Sequence, residues 1–128
     1  MTTKVKKLKA DLQQFYGTQQ LFQLPLLKTQ FTDGVYYLAK EAKCFWLITD
    51  ASVFAKSLKD KSHFITIDFK RLSEKESAEK GCEAIISYGD GNENILETHR
   101  YGITDFPLEE LRLYFVNNTL MLPSEYWI

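Results

Sequence analysis

The sequence predicts an α+β domain, an antiparallel meander of three to four strands packed by about four helices. Three observations lead there. Apolar residues recur at helical spacing several times in the first half of the chain, and the period then switches to strict alternation in "HFITIDFK". Two further apolar runs, "EAIISY" and "NILETHRYGI", flank the turn-forming "YGDGNE". Helices first, a meander later and one more helix after it is the order expected when helices cover one sheet face.

The composition suits a single soluble domain. A chain of 128 residues is long enough to bury roughly two-thirds of its unfolded surface. Its 45% hydrophobic and 26% charged residues exclude a disordered or fibrous chain. The 14% of aromatic residues are expected to fill the core. The net charge of −1 conceals a split: residues 1–61 hold ten Lys against five acids, and residues 62–128 hold six Lys and Arg against twelve acids. Such a dipole can steer a polyanion or favour self-association, but two solvated surfaces that keep the protein soluble are the preferred explanation. Cys44 and Cys82 belong to no Cys-x-x-Cys pair, so neither a disulfide scaffold nor a zinc cluster is indicated. "MTTKVKKLKADLQQ" has no apolar signal-peptide region, and no apolar run approaches the ~20 residues of a membrane span. The expected setting is a reducing cytoplasm, with no membrane partner.

Element by element, Val5, Leu8, Leu12 and Phe15 mark an amphipathic first helix ended by Gly17. Pro25 limits "TQQLFQLPLLKTQ" to an extended or edge segment. Val35, Leu38, Ala39 and Ala42 predict a second helix, the short apolar run Cys44 to Ile48 a buried strand in preference to its alternative, a helix continuing from Ala42, and Ala51, Phe54, Ala55 and Leu58 a third helix. In "HFITIDFK", Ile65, Ile67 and Phe69 share one strand face. "RLSEKESAEKGC" has no apolar face and is expected to be an exposed, mobile loop or at best one frayed helical turn. After the hairpin strands, Leu108, Leu111 and Phe115 define a fourth helical stripe stopped by Asn117 and Asn118, and Thr119 to Leu122 a short extended piece that Pro123 ends.

Three related tripeptides precede helical patterns: Phe31-Thr32-Asp33, Ile48-Thr49-Asp50 and Ile103-Thr104-Asp105. Thr and Asp supply the oxygen that orphan N–H groups at a helix start need, so all three read as N-caps. Pro107, Glu109 and Glu110 reinforce the third, because Pro suits a first turn and acids suit the positive end of the helix dipole. Acid catalysis would need these carboxylates to converge, which their spacing does not indicate.

Other chemistry is weaker. "DGNENI" begins like a calcium loop but has Ile95 where an EF-hand needs Gly and Tyr101 where it needs its bidentate acid. His63, His99 and Glu97 could be drawn as a metal set only if two strands brought them together, so no metal and no cofactor is assigned. Cys44, followed by Phe45 and Trp46, reads as core. Neither a nucleophile elbow nor a Gly-rich phosphate loop is present in the sequence. Lys4, Lys6, Lys7 and Lys9 would give salt-sensitive contact with nucleic-acid phosphates, though the wet face of a helix accounts for them more simply. Tyr126 and Trp127 would form a patch for a protein partner or a second copy if the terminus does not fold back.

The stretches "LKADLQQFYGT", "FTDGVYYLAKEAKCFWLITD" and "ITDFPLEELRLYFVNNTLMLPSEYW", with "DGNEN" between the last two, carry a resemblance over most of the chain. It resembles a family of short bacterial proteins defined only as a domain of unknown function, and is longer than that family's usual hairpin at "LSEKESAEKG". The resemblance implies no activity, cofactor or catalytic residue. Three functions follow as expectations: a noncatalytic protein-interaction module first; an enzyme or small-ligand protein with a dispersed site at Glu97, His99 and Tyr101; and weak nucleic-acid binding through the N-terminal lysines.

Overall fold

The computed structural model describes residues 3–14, 21–25, 27–102, 104 and 106–126. Among them α1 spans Thr3–Leu12, β1 Leu21–Gln23, β2 Gln30–Thr32, α2 Asp33–Glu41, α3 Phe45–Ser57 and β3 Phe64–Arg71. The order continues with α4 Glu74–Lys80, β4 Ala84–Gly89, β5 Ile95–Tyr101, β6 Glu110–Val116, β7 Thr119–Met121 and a closing 3-10 turn at Pro123–Glu125. None of the described helices is long and apolar enough to cross a membrane.

The fold is α+β, but its sheet is wider than the expected three- to four-stranded antiparallel meander. The described strands form one seven-stranded mixed sheet in the order β1-β2-β7-β6-β3-β4-β5, with β2 and β7 parallel and the other neighbours antiparallel. The meander exists as β3-β4-β5; the correction comes from what adds to its other side. Glu110–Val116, expected as a helix, is a central strand. Leu108, Leu111 and Phe115 do stand at helical spacing, yet Leu111, Leu113 and Phe115 also alternate, and pairing on both sides decides between the two periods. Leu113 lies opposite Ile67 on β3, and Phe115 lies opposite both Ile65 on β3 and Leu120 on β7. Such non-local pairing satisfies backbone groups in a way that local periodicity does not report. Asn117 and Asn118, at φ 53° and 59°, form the two-residue turn to β7, where both positions need the left-handed region that Asn tolerates.

Cys44 to Ile48 is also not a strand. Phe45 to Ile48 open α3, whose buried Leu47, Ile48, Ala51 and Ala55, followed by buried Leu58, make a single helical stripe. A short apolar run has no period of its own, so the helix that contains it sets its conformation. The Thr49 hydroxyl donates to Phe45 O at 3.0 Å within the helix, so Thr49 and Asp50 lie inside α3 rather than capping it. Of the three expected caps only Thr32 has that role: its hydroxyl oxygen accepts the Val35 N–H at 3.2 Å. Thr104 accepts the Phe106 N–H at 3.1 Å in a turn that leads into β6, and Asp105 lies outside the described residues, as do Phe15 and Gly17. "LSEKESAEKG" is exposed as expected but more ordered: α4 has a capping box between Ser73 and Glu76 and ends at Gly81 with φ 71°. In the hairpin, the Asp90 carboxylate collects the N–H groups of Asn92 (2.8 Å) and Asn94 (3.3 Å) and the Asn94 amide (2.9 Å), which holds its pKa below the usual range.

One sheet face carries the core. Ile65, Ile67 and Phe69 of β3, Ala84, Ile86 and Tyr88 of β4, Leu113 and Phe115 of β6 and Leu120 of β7 cluster with the buried faces of α1, α2 and α3. The C-terminal turn then fastens the start of α2. Glu125 is only 3% exposed, and its carboxylate accepts the Thr32 hydroxyl at 2.6 Å and the N–H groups of Gly34 at 3.1 Å and Leu122 at 2.9 Å.

Candidate functional site

Strand β5 ends the sheet, and the period of a strand puts Glu97, His99 and Tyr101 on one face of it. Their cross-strand partners on β4 are Tyr88, Ile86 and Ala84, all buried on the core side. Helix α3 lies over this row with Trp46, Asp50 and Phe54, spaced i, i+4 and i+8 on one flank. The Tyr101 hydroxyl donates to Asp50 at 2.8 Å while its ring meets Trp46 at 5.6 Å. The His99 ring stacks on Phe54 at 3.9 Å and contacts Tyr88 edge-on at 5.7 Å. His99 Nε2 lies 2.6 Å from Glu97, with the two side chains 29% and 38% exposed.

The structure thus gathers all three β5 residues and ties them to residues that the sequence did not assign to a site. Trp46, Asp50, Phe54 and Tyr88 were missed because Cys44 to Ile48 read as a strand and Asp50 as a cap; with α3 recognised as one helix, the i, i+4, i+8 spacing of the first three would have been visible. The electrostatics favour protonated phenols. Burial, then the neighbouring Tyr101, Asp50 and Glu97, push the Tyr88 pKa far above the usual tyrosine range. Burial and the hydrogen bond to Asp50 do the same for Tyr101. Both hydroxyls are therefore donors at ordinary pH.

The two phenols differ in one respect that can be measured. The Tyr88 hydroxyl is buried without a hydrogen-bond partner, whereas that of Tyr101 is satisfied by a carboxylate. Tyr88→Phe should leave the unfolding free energy unchanged or raise it by up to ~1 kcal/mol, and Tyr101→Phe should lower it by about 1–2 kcal/mol. Because the folded pKa of Tyr101 is raised, its stabilisation is complete below the unfolded value near ~10 and is lost as pH rises through the folded value. Urea titrations at neutral and alkaline pH check both statements: the Tyr101→Phe deficit should shrink at high pH.

The remaining sequence candidates lie apart. His63 is exposed and lines a hollow of about 430 Å³ with Lys56, Lys59 and Asn117, away from His99. Lys4 and Lys7 flank another hollow of about 430 Å³ with Asp11, Tyr37 and Lys43, where Lys7 meets Asp11 at 3.2 Å. Lys9 borders a third, with Leu12 and Leu108, and Lys6 is exposed, so the four lysines are divided rather than gathered. Tyr126 packs edge-on against Phe64 at 5.2 Å and Tyr114 at 5.6 Å; Trp127 lies outside the described residues. Among the described residues no three His, Cys, Asp or Glu side chains are grouped to hold a metal ion, and Cys44 and Cys82 are buried and not joined in a disulfide.

A family model matches residues 6–126, from α1 through the C-terminal turn. The chain belongs to DUF6876, a family of unknown function. The match takes in both β5 and the stripe of α3 that covers it. Comparison with the curated proteins and with the solved structures gives no significant match.

Proposed function

We propose that this member of DUF6876 is a noncatalytic protein-interaction module that engages its partner along the free edge of β5. The backbone of that strand carries the reading. Glu83 N–H donates to Tyr101 O at 2.9 Å, which turns the Tyr101 main chain toward β4. Main-chain groups alternate along an antiparallel strand, so those of His99 also face β4, while those of Thr98 and Arg100 face outward, where the described sheet has no further strand. A seven-residue edge strand is a template for strand addition, and Ile95 at its start leaves 67% of its surface exposed. The His99 ring stacked on Phe54, with Tyr88 edge-on to both, favours a rigid edge. Two buried cysteines that are not joined in a disulfide and the resemblance to short bacterial proteins support a bacterial cytoplasm as the setting.

The second reading, a small-ligand or enzymatic site, is favoured by the half-exposed Glu97–His99 pair beside Tyr101 and Asp50. One experiment separates the two. Thr98→Pro removes an outward N–H without breaking the ladder to β4, so affinity capture from cells carrying the native gene should lose the wild-type partner set while the circular dichroism spectrum stays unchanged. Retention of the same partners by a folded Thr98→Pro variant would overturn the edge reading.

A further inference from the structure

We propose that the partner of the β5 edge is a second copy of this chain, paired antiparallel about a two-fold axis at Thr98. The inference rests on the edge-module reading and adds both the occupant and its register. It comes from the order of side chains along the strand, Ile95-Leu96-Glu97-Thr98-His99-Arg100-Tyr101. A two-fold contact must be self-complementary, so residues equidistant from its centre meet across the axis.

The centre has to be a residue whose main-chain groups point off the sheet, and Thr98 is the middle residue of β5 as well as an outward one. With the axis there, Thr98 meets Thr98 of the second copy and exchanges N–H···O bonds with it in both directions. Glu97 then faces His99 of the second copy, and His99 faces its Glu97. These are positions without mutual backbone hydrogen bonds, where facing side chains approach most closely. A carboxylate meets an imidazole on both sides of the axis. Leu96 comes opposite Arg100, whose aliphatic stem can lie along it. Moving the axis to Arg100 shortens the overlap and takes Glu97 out of the ladder, so the charge order selects Thr98.

Other groups face the same pair and are neutral or already matched: the phenols of Tyr88 and Tyr101 are held protonated, and the Asp50 carboxylate accepts the Tyr101 hydroxyl. Leu96 bounds the contact at its hairpin end. The β4–β5 register slips between Tyr88 and Gly89, pairing Tyr88 with Glu97 and Gly89 with Ile95, so Leu96 has no partner residue on β4 and forms a bulge. Such bulges bend an edge strand, and this one confines regular pairing to the half of β5 centred on Thr98 and His99.

Sedimentation equilibrium of the purified full chain tests the pairing. The wild type should sediment at twice its 14.9 kDa mass in the tens of micromolar, while folded Thr98→Pro should sediment as a single chain. Glu97→Lys puts Lys opposite His99 twice by symmetry and should weaken the dimer by about tenfold. The exchange E97H/H99E, which restores opposite groups across the axis, should recover wild-type affinity to within about threefold. If Thr98→Pro fails to fold, the charge exchange decides alone: a dimer indifferent to Glu97→Lys, or not rescued by the exchange, overturns the register. A wild type that stays monomeric, but whose captured partners still disappear with Thr98→Pro, overturns self-pairing and leaves the edge-module reading standing. Partners unaffected by Thr98→Pro overturn both.

Discussion

Glu125→Ala is expected to cost about 3–5 kcal/mol of unfolding free energy, more than any surface change in the protein. The carboxylate is buried and accepts three bonds, from the Thr32 hydroxyl and the N–H groups of Gly34 and Leu122. Removing it orphans those donors at about 1–3 kcal/mol each, part of which entering water offsets. Since a domain of this size has about 5–15 kcal/mol in all, the melting temperature should fall by about 10–20 °C. Glu125→Gln separates hydrogen bonding from charge. Its oxygen can keep Thr32 and Leu122, which share Oε1, and its amide loses only the Gly34 bond, so the cost should be about 1–2 kcal/mol. Gly34 gives a second reading of the same joint. A methyl group there would sit 2.7 Å from both Glu125 Oε1 and Leu122 Cδ1, so Gly34→Ala should destabilise by about 1–3 kcal/mol where an open helix position would gain ~1 kcal/mol.

The same residue sets a pH dependence. Burial raises the Glu125 pKa, the hydrogen bond from Thr32 opposes that rise, and the neighbouring Asp33 adds to it. A raised folded pKa means that the stabilisation is complete below the unfolded value of 4.5 and is lost as pH rises through the folded value. Asp90 and Glu76, whose pKa values are lowered by hydrogen bonds, act in the opposite sense: their stabilisation is present above the unfolded values and is lost as pH falls. The difference between wild type and Glu125→Gln cancels those terms. Urea midpoints measured across the acidic range should therefore show wild type gaining on the variant as pH falls toward ~4.5. A constant difference would show that Glu125 has the same pKa folded and unfolded.

What the sequence made legible follows from which interactions are local. Thr32 was readable as a cap because its partner, Val35, is three residues away, and the alternation of Ile65, Ile67 and Phe69 is complete within β3. The row Glu97, His99 and Tyr101 was readable for the same reason, since one strand face needs no knowledge of the rest of the fold. Its partners were not: Asp50 lies 51 residues from Tyr101, and only the packing of α3 on β5 brings them together. Glu125 is further still, 93 residues from Thr32, and in the sequence it is one acid in a polar turn. The width of the sheet was hidden by the same limit. Residues 110–116 fit either period, and the contacts that choose the strand come from β3, forty or more residues earlier, and from a turn at Asn117 and Asn118 that also reads as a helix stop.

Phe106 offers the sharpest energetic test of that choice. It is fully buried, with its ring edge-on to Phe69 at 4.7 Å, and Arg71 at the end of β3 donates to its carbonyl at 2.9 Å. The Arg71 N–H reaches Glu109 O at 2.7 Å, so the segment before β6 is held against the end of the neighbouring strand. In a helix start at this place Thr104 would be the dominant residue, and losing its cap would cost ~1 kcal/mol, with little depending on the ring. In the observed strand entry the order reverses. Phe106→Ala removes a core ring and should cost about 3–5 kcal/mol, whereas Phe106→Leu, which refills most of the space, should cost less than about 1.5 kcal/mol. Thr104→Ala loses one turn hydrogen bond, to the Phe106 N–H, and should cost about 1 kcal/mol. Guanidinium unfolding of the three variants gives the ranking directly. A Thr104→Ala deficit equal to that of Phe106→Ala would mean that the turn, and not the ring packed on Phe69, carries the chain into β6.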